Sequence, residues 1–236
     1  MSEIFLIDYF STSKKTFYHS ATTFSKLIFF LCVLFSILLT QSLIFLSLTI
    51  TILLALIKIS DLPLTKILKW ALYPTFFASI FAISQLSSSS LLPLLSILKG
   101  FSSFLSVILL FSTTPYTKIF YFLSKFSGFL GNVLFLTYRF FFVLLNDVEN
   151  RIRSLKVRGL YSANKLQTLK NISNLIGHVF LNSIEISEKF YNSLMIRGFK
   201  GKFYHLEKES FGLKDLAIIF LGLGILALSG VVGWTL

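Results

Sequence analysis

Two stretches of the chain end a helical pattern on arginine followed by glycine: Lys156-Val157-Arg158-Gly159 and Met195-Ile196-Arg197-Gly198. Ahead of the second, Ile186, Phe190 and Leu194 recur every four residues, while Glu185, Glu188, Lys189 and Asn192 share the other side. That is the period of an amphipathic helix, and Glu185 precedes Lys189 in the order that favours an ion pair. Glycine takes the left-handed conformation needed just past a helix end, so the helices are expected to stop at Gly159 and Gly198. Arg158 and Arg197 then sit at a last turn, where the helix dipole favours a cation. A guanidinium held there is a rigid fork of donors suited to a carboxylate or a carbonyl on a partner.

Other chemistry needs residue sets that this sequence lacks. It has no Gly-x-x-x-x-Gly-Lys-Ser/Thr loop to cradle nucleotide phosphates and no Gly-x-Ser-x-Gly nucleophile elbow. His19, His178 and His205 stand without Cys, Asp or Glu at ligand spacing, so no metal site is expected. Asp8, Asp61, Asp147 and Asp215 fall at the ends of apolar segments or outside them, leaving no intramembrane carboxylate pair for a proton relay. Cys32 is the single cysteine, which excludes a disulfide framework. No catalytic residue and no cofactor are expected.

The elements that must carry the two arginines are mostly apolar. The chain of 236 residues is 55% hydrophobic and 14% charged, with a mean hydropathy of +0.80, a composition of membrane proteins rather than soluble globules. The net charge of +12 does not point to nucleic acid. Of 22 Lys and Arg, 11 lie between residues 146 and 210 against 6 acids, and the others gather at the ends of apolar segments, as cytoplasmic loops require. Four spans are expected near 27–39, 43–57, 70–86 and 91–111, and a fifth near 213–232, where Gly222, Gly224 and Gly230 suit close helix packing. Residues 1–24 lack the pattern of a cleaved signal peptide, so the first span is expected to be retained. Lys99 reads as snorkelling from the fourth span to its boundary, with a functional intramembrane lysine as the alternative. Pro115 separates that span from a short amphipathic helix at 116–126, which a preceding Ser or Thr can cap. The stretch 129–145 is apolar enough to resemble a span. Arg139 in its middle, and the need to keep both Arg-Gly ends on one side, argue instead for a helix against protein or near the interface. Residues 160–177 are polar and basic, and are expected to connect the two Arg-Gly helices.

The fold class that follows is an all-α integral membrane protein of about five transmembrane helices with a helical insert before the last. Its parts are an amino-terminal membrane region (1–111), a cytoplasmic or interfacial region with both Arg-Gly motifs (112–212), and a carboxyl-terminal span (213–236). Charged and uncharged loops alternate so that the amino terminus lies inside and the carboxyl terminus outside.

The paired Arg-Gly ends resemble the coupling motifs of the transmembrane T component of energy-coupling factor (ECF) transporters. The stretches 175–185 (LIGHVFLNSIE) and 188–201 (EKFYNSLMIRGFKG) are most similar to the CbiQ-like branch for cobalt and nickel. Thr-Thr-Pro at 113–115 and Tyr138-Arg139 fit the same pattern, and the resemblance covers residues 105–202 best. It implies a non-catalytic subunit of an ABC importer in the cell (inner or plasma) membrane. Its partners would be two ABC ATPases, which hydrolyse the ATP, and a substrate-binding membrane S component, CbiM-like where the cargo is a metal. It also implies ATPase-coupling roles for Val157, Arg158, Gly159, Ile196, Arg197 and Gly198, with support from Arg139, Arg151, Glu185, Glu188, Phe190 and Leu194. The family commonly has Ala where Val157 and Ile196 stand. Two other readings stay open at this point, a permease acting alone and an integral-membrane enzyme. The first would need an inverted repeat with broken helices, the second intramembrane acids or histidines.

The topology is checked with Cys32 replaced and single cysteines placed at Ser42, Ser88 or Asn164. An impermeant thiol reagent added outside cells is expected to label the first two; labelling at 164 would refute the orientation.

Overall fold

In a bilayer only a helix or a closed barrel satisfies its own backbone groups, and successive apolar runs here become helices. The computed structural model describes residues 10–12, 16–85, 91–159, 165–201 and 211–234. Asp8, His205, the neutral turn at 87–90, the connector at 160–164 and the charged loop beyond Gly201 lie outside the described residues. Within them no strand occurs, and the helices are α1 (Thr23–Leu39), α2 (Leu43–Ile59), α3 (Leu64–Ser84), α4 (Leu92–Thr113), α5 (Tyr116–Phe126), α6 (Gly128–Val157), α7 (Lys165–Ile196) and α8 (Leu213–Trp234). By length and composition α3, α4, α6 and α8 can each cross a membrane. The first two helices are as apolar but have 17 residues each, roughly 25 Å of rise against a core of about 30 Å. The chain is an all-α integral membrane protein.

It forms two compact units, Met1–Phe122 with Glu207–Leu236, and Leu123–Leu206. In the first, α1 packs closely along α8, and α4 packs on α1, α2 and α3. Phe29, Val33 and Ile37 of α1 meet Leu46 and Leu53 of α2, Leu105 and Leu109 of α4, and Ile218 and Ile225 of α8 in the core. Ser36, Thr49, Ser102 and Ser106 are buried among them. Each of these hydroxyls donates to a carbonyl three residues back in its own helix, at 2.7–3.1 Å, so none is left unsatisfied in an apolar interior. Gly222 lets two backbones meet: a Cβ there would stand 3.1 Å from Phe29 Cα. Gly224 and Gly230 face open space, so of the three glycines expected to serve close packing only Gly222 does.

Charged side chains close the helix ends. Lys26 of α1 is 2% exposed. Its ammonium donates to the carbonyls of Thr113 (2.9 Å), the last residue of α4, and His19 (3.1 Å), beside the Tyr18 ring. Lys99 of α4 donates to the Leu38 carbonyl, 3.1 Å away in the last turn of α1. The two antiparallel helices therefore exchange lysines, each satisfying a carboxyl-terminal carbonyl that has no partner in its own helix. Lys99, half-buried, thus has a helix end as its partner, which neither sequence reading supplied.

Asp215, 3% exposed in the first turn of α8, does the converse for amino termini. Its Oδ1 accepts the Thr22 N–H (2.6 Å), the Thr22 hydroxyl (2.8 Å) and the Ser25 hydroxyl (2.9 Å), and its Oδ2 accepts the Gly212 N–H (2.8 Å). Thr22 is the N-cap residue of α1 and makes no side-chain cap of its own, so one carboxylate caps α1 and α8 together. Among the described residues the buried Thr114 hydroxyl has no hydrogen-bond partner, and at the start of α5 the Pro115 carbonyl accepts the Lys118 N–H at 3.0 Å.

Asp215→Ala strands two backbone N–H groups and two hydroxyls that now donate to the carboxylate, and is expected to destabilise the bundle by about 2–4 kcal/mol. Asp215→Asn, which keeps one acceptor oxygen, should lie between it and the wild type. Thermal unfolding in detergent checks the order; equal stability of all three would remove the clasp's energetic role.

Candidate functional site

The second unit is built on α6 and α7, of 30 and 32 residues. Their facing residues run in opposite directions: Asn132 donates to the Gly201 carbonyl, Phe140 stacks edge-on against Phe190, and Asn182 bonds Asp147. The pair is antiparallel. Residues 165–177, expected as a connector, are the first turns of α7, so that part of the sequence reading is corrected. Their polar composition reflects a helix wetted on most of its circumference rather than a loop.

Each Arg-Gly ends its helix as the backbone chemistry requires. Gly198 has φ +69°, with its N–H on the Met195 carbonyl and the Phe199 N–H on the Leu194 carbonyl, both at 3.0 Å. These are the two bonds of the Schellman motif. Gly159 has φ +68°, with its N–H 3.1 Å from the Lys156 carbonyl. Both positions disfavour any residue with a Cβ. The arginines are the C-cap residues, and the residues before them, Val157 and Ile196, are 88% and 87% exposed. Each end thus presents a bare apolar side chain beside an arginine. From Asn171, which shares a cleft with Arg158, α7 runs 26 residues to Arg197. At 1.5 Å per residue the two ends stand roughly 40 Å apart along the helix.

The supporting residues separate into those that stitch the pair and those that face outward. The Arg139 guanidinium lies 4.8 Å from the centre of the Phe190 ring, which places a cation on the face of an aromatic already paired with Phe140. Asp147 Oδ2 accepts the Arg151 Nε–H (2.9 Å) and Asn182 Nδ2 (3.0 Å), joining the two helices through one carboxylate. Leu194 supplies the carbonyl of the second helix end. Glu185 pairs with Lys189 across 3.6 Å, exposed, and Glu188 is exposed with no ion pair among the described residues. Asp147, Phe140 and Asn182 were not singled out from sequence; the four-residue spacing of Asp147 and Arg151 is the one signal that could have marked them.

Two clefts open between the helices. One, of about 430 Å³, is apolar, with Val133, Leu136, Phe140, Phe141 and Leu144 as walls. The other, of about 390 Å³, is mixed, with Arg151, Arg158 and His178 beside Leu155 and Leu175. Among the described residues no three His, Cys, Asp or Glu side chains gather to hold a metal ion.

The model of a family described as a cobalt transport protein, CbiQ, matches residues 14–207. An uncharacterized protein of Methanocaldococcus jannaschii is 30% identical over 93 residues, which are 39% of this chain and 32% of that one. The chain thus spans about a third of the length of that relative.

Phe190→Ala removes both the ring pair and the seat of Arg139, about 1–3 kcal/mol of α6–α7 pairing. Amide exchange is expected to rise in both helices of the pair while that of α1 and α4 is unchanged. A uniform rise across the chain would contradict this account.

Proposed function

The chain belongs to the CbiQ family of cobalt transport proteins, and from that membership we propose that it is the transmembrane coupling (T) subunit of an energy-coupling factor importer. In this reading it passes ATP-driven motion from two ABC ATPases to a separate substrate-binding membrane subunit. Cobalt or nickel is the cargo and is bound by that subunit, CbiM-like, rather than by this chain. The insert 112–212 is cytoplasmic or interfacial, with the amino terminus inside and the carboxyl terminus outside.

The observation that carries the reading is the matched pair of helix ends. Each offers a bare apolar side chain, an arginine and a left-handed glycine, and they lie roughly 40 Å apart on one helical pair. Two contact points so far apart suit two ATPases better than one. Glycine admits close approach of the partner's backbone, and the arginine pairs with a carboxylate or carbonyl in its groove. When the ATPases close on ATP, the docked ends move relative to each other. Helices as long as α6 and α7, joined at Phe190 and Asp147, carry such a displacement along their length. The apolar cleft between them suits contact with a membrane partner.

An arginine at an exposed rim contributes about 0–1 kcal/mol, whereas truncating one partner of a desolvated pair costs about 2–5 kcal/mol. Arg158→Ala or Arg197→Ala alone is therefore expected to weaken ATPase association and metal uptake, and the double variant to abolish both while membrane insertion persists. Co-purification and uptake at matched expression test this. A double variant that kept its ATPases and wild-type transport would make these ends ordinary helix caps.

A further inference from the structure

The chain passes between the two compact units twice, outward after Phe122 within α5 and back ahead of Glu207. The outward crossing follows the end of α4 at Thr113; the return leads into α8 at Leu213. In the first unit both are held by one turn at the start of α1, from Thr22 to Lys26. Lys26 donates to the Thr113 carbonyl at 2.9 Å. The Phe24 ring lies 5.8 Å from that of Phe122, the last residue before the outward crossing. On the return side, Thr22 and Ser25 donate to Asp215 Oδ1 at 2.6–2.9 Å, and the neighbouring Lys214 donates to Ser20 at 3.1 Å.

Capping alone does not call for this arrangement. Thr22 has a hydroxyl that can cap its own helix without burying any charge, yet the cap comes from Asp215, 193 residues away. Lys26, 2% exposed, buries an ammonium to reach the end of a different helix. Hydrogen bonds to a charged group are directional and roughly twice as strong as those between neutral groups, so these joints resist the sliding that apolar contacts permit. Beyond the turn α1 runs through the core at Phe29, Val33 and Ile37, and near its far end the Leu38 carbonyl accepts from Lys99 of α4. A close-packed interior transmits strain. A shift of the outward crossing therefore acts on α1 as well as on α4, and a shift of the return acts on α1 as well as on α8.

We propose that the turn Thr22–Lys26 is where displacement of the α6–α7 pair enters the membrane helices, with Phe24 and Lys26 holding the outward crossing and Asp215 the return. This rests on the coupling reading above and deepens it. The three are positioning residues: none belongs to the Arg-Gly ends, and each acts by tying a crossing to α1 so that both crossings move one helix.

The test uses proteoliposomes holding the chain with its co-expressed ABC ATPases and substrate-binding subunit, and reads Co²⁺ taken up per ATP hydrolysed. Lys26→Met removes the ammonium, and Phe24→Ala removes a ring that is 47% exposed and so dispensable for folding. Both are expected to retain the ATPases and to hydrolyse ATP within about twofold of wild type, while uptake per ATP falls about fivefold or more. Lys26→Arg, which keeps a cation and its donors, should recover most of that ratio, and Asp215→Asn should lower it. Leu46→Ala, a core truncation in the first turn of α2, should cost more thermal stability than Phe24→Ala and yet keep the wild-type ratio. If Lys26→Met does not insert, Phe24→Ala decides the matter. A wild-type ratio in Phe24→Ala and Lys26→Met would make these contacts ordinary clasps, leaving the coupling reading in place. An equal fall in Leu46→Ala would assign the effect to general stability, and loss of the ATPases from Phe24→Ala would assign the turn to docking; either overturns the proposal. If the wild type itself neither holds ABC ATPases nor takes up Co²⁺, the coupling reading falls and this inference with it.

Discussion

A helix leaves several N–H groups unpaired at its start and several carbonyls at its end, and a dry membrane interior offers no water to meet them. The first unit answers this with three charged side chains, Lys26, Lys99 and Asp215, each bonded to the backbone of another element. Burying an isolated ammonium or carboxylate is strongly unfavourable; it is tolerated when hydrogen bonds surround the charge. Lys26 has two carbonyls and a ring face, and Asp215 has four donors, so both conditions hold. The signs also follow the dipoles, with the anion at the starts of α1 and α8 and the cation at the end of α4. Helix α1, with only 17 residues, is thereby fixed at both ends by other helices, Asp215 at its start and Lys99 at its finish. Its place in the bundle depends less on matching the bilayer thickness than on these two contacts.

The α6–α7 pair obeys a different rule. Few of its side chains are buried, and large apolar ones such as Phe129, Leu166, Phe180 and Tyr191 are exposed. So much bare apolar surface on two long helices marks faces that a membrane or another protein covers. The internal joints are discrete: Arg139 with Phe190 and Phe140, and Asp147 with Arg151 and Asn182. A pair held at a few points between exposed stretches can keep its register while its ends are moved, which a densely interdigitated core resists.

Much of this was legible in the sequence because it is local. Apolar runs set the helices, the four-residue period of Ile186, Phe190 and Leu194 gave the inner face of α7, and Gly159 and Gly198 closed their helices with positive φ as glycine alone does easily. What escaped was long-range or compositional. Asp215 and Thr22 are 193 residues apart, and an acid at a segment end reads as a solvated boundary until the other helix start is seen beside it. Lys26 lay just ahead of the expected first span, and nothing local says that its ammonium ends on Thr113. Residues 165–177 misled by polarity: a helix with one narrow inner face carries few apolar residues, and without a breaker it still continues. Gly224 and Gly230 share the composition of Gly222 but not its direction, because only one side of α8 meets α1.

The two Arg-Gly ends show how far equal backbone geometry is from equal chemistry. Both arginines cap a helix closed by glycine, and both stand beside an apolar residue almost wholly exposed. Yet Arg158 shares a cleft with the amides of α7, whereas Arg197 ends a helix whose last turns expose Tyr191 and Met195, and each arginine follows two acids on its own helix, Asp147 and Glu149 or Glu185 and Glu188. Electrostatic complementarity governs rate and selectivity of docking more than its final strength, and apolar contact does the reverse. Exposed charge attracts across a Debye length of about 8 Å and is screened by salt, whereas an apolar contact acts only on touching.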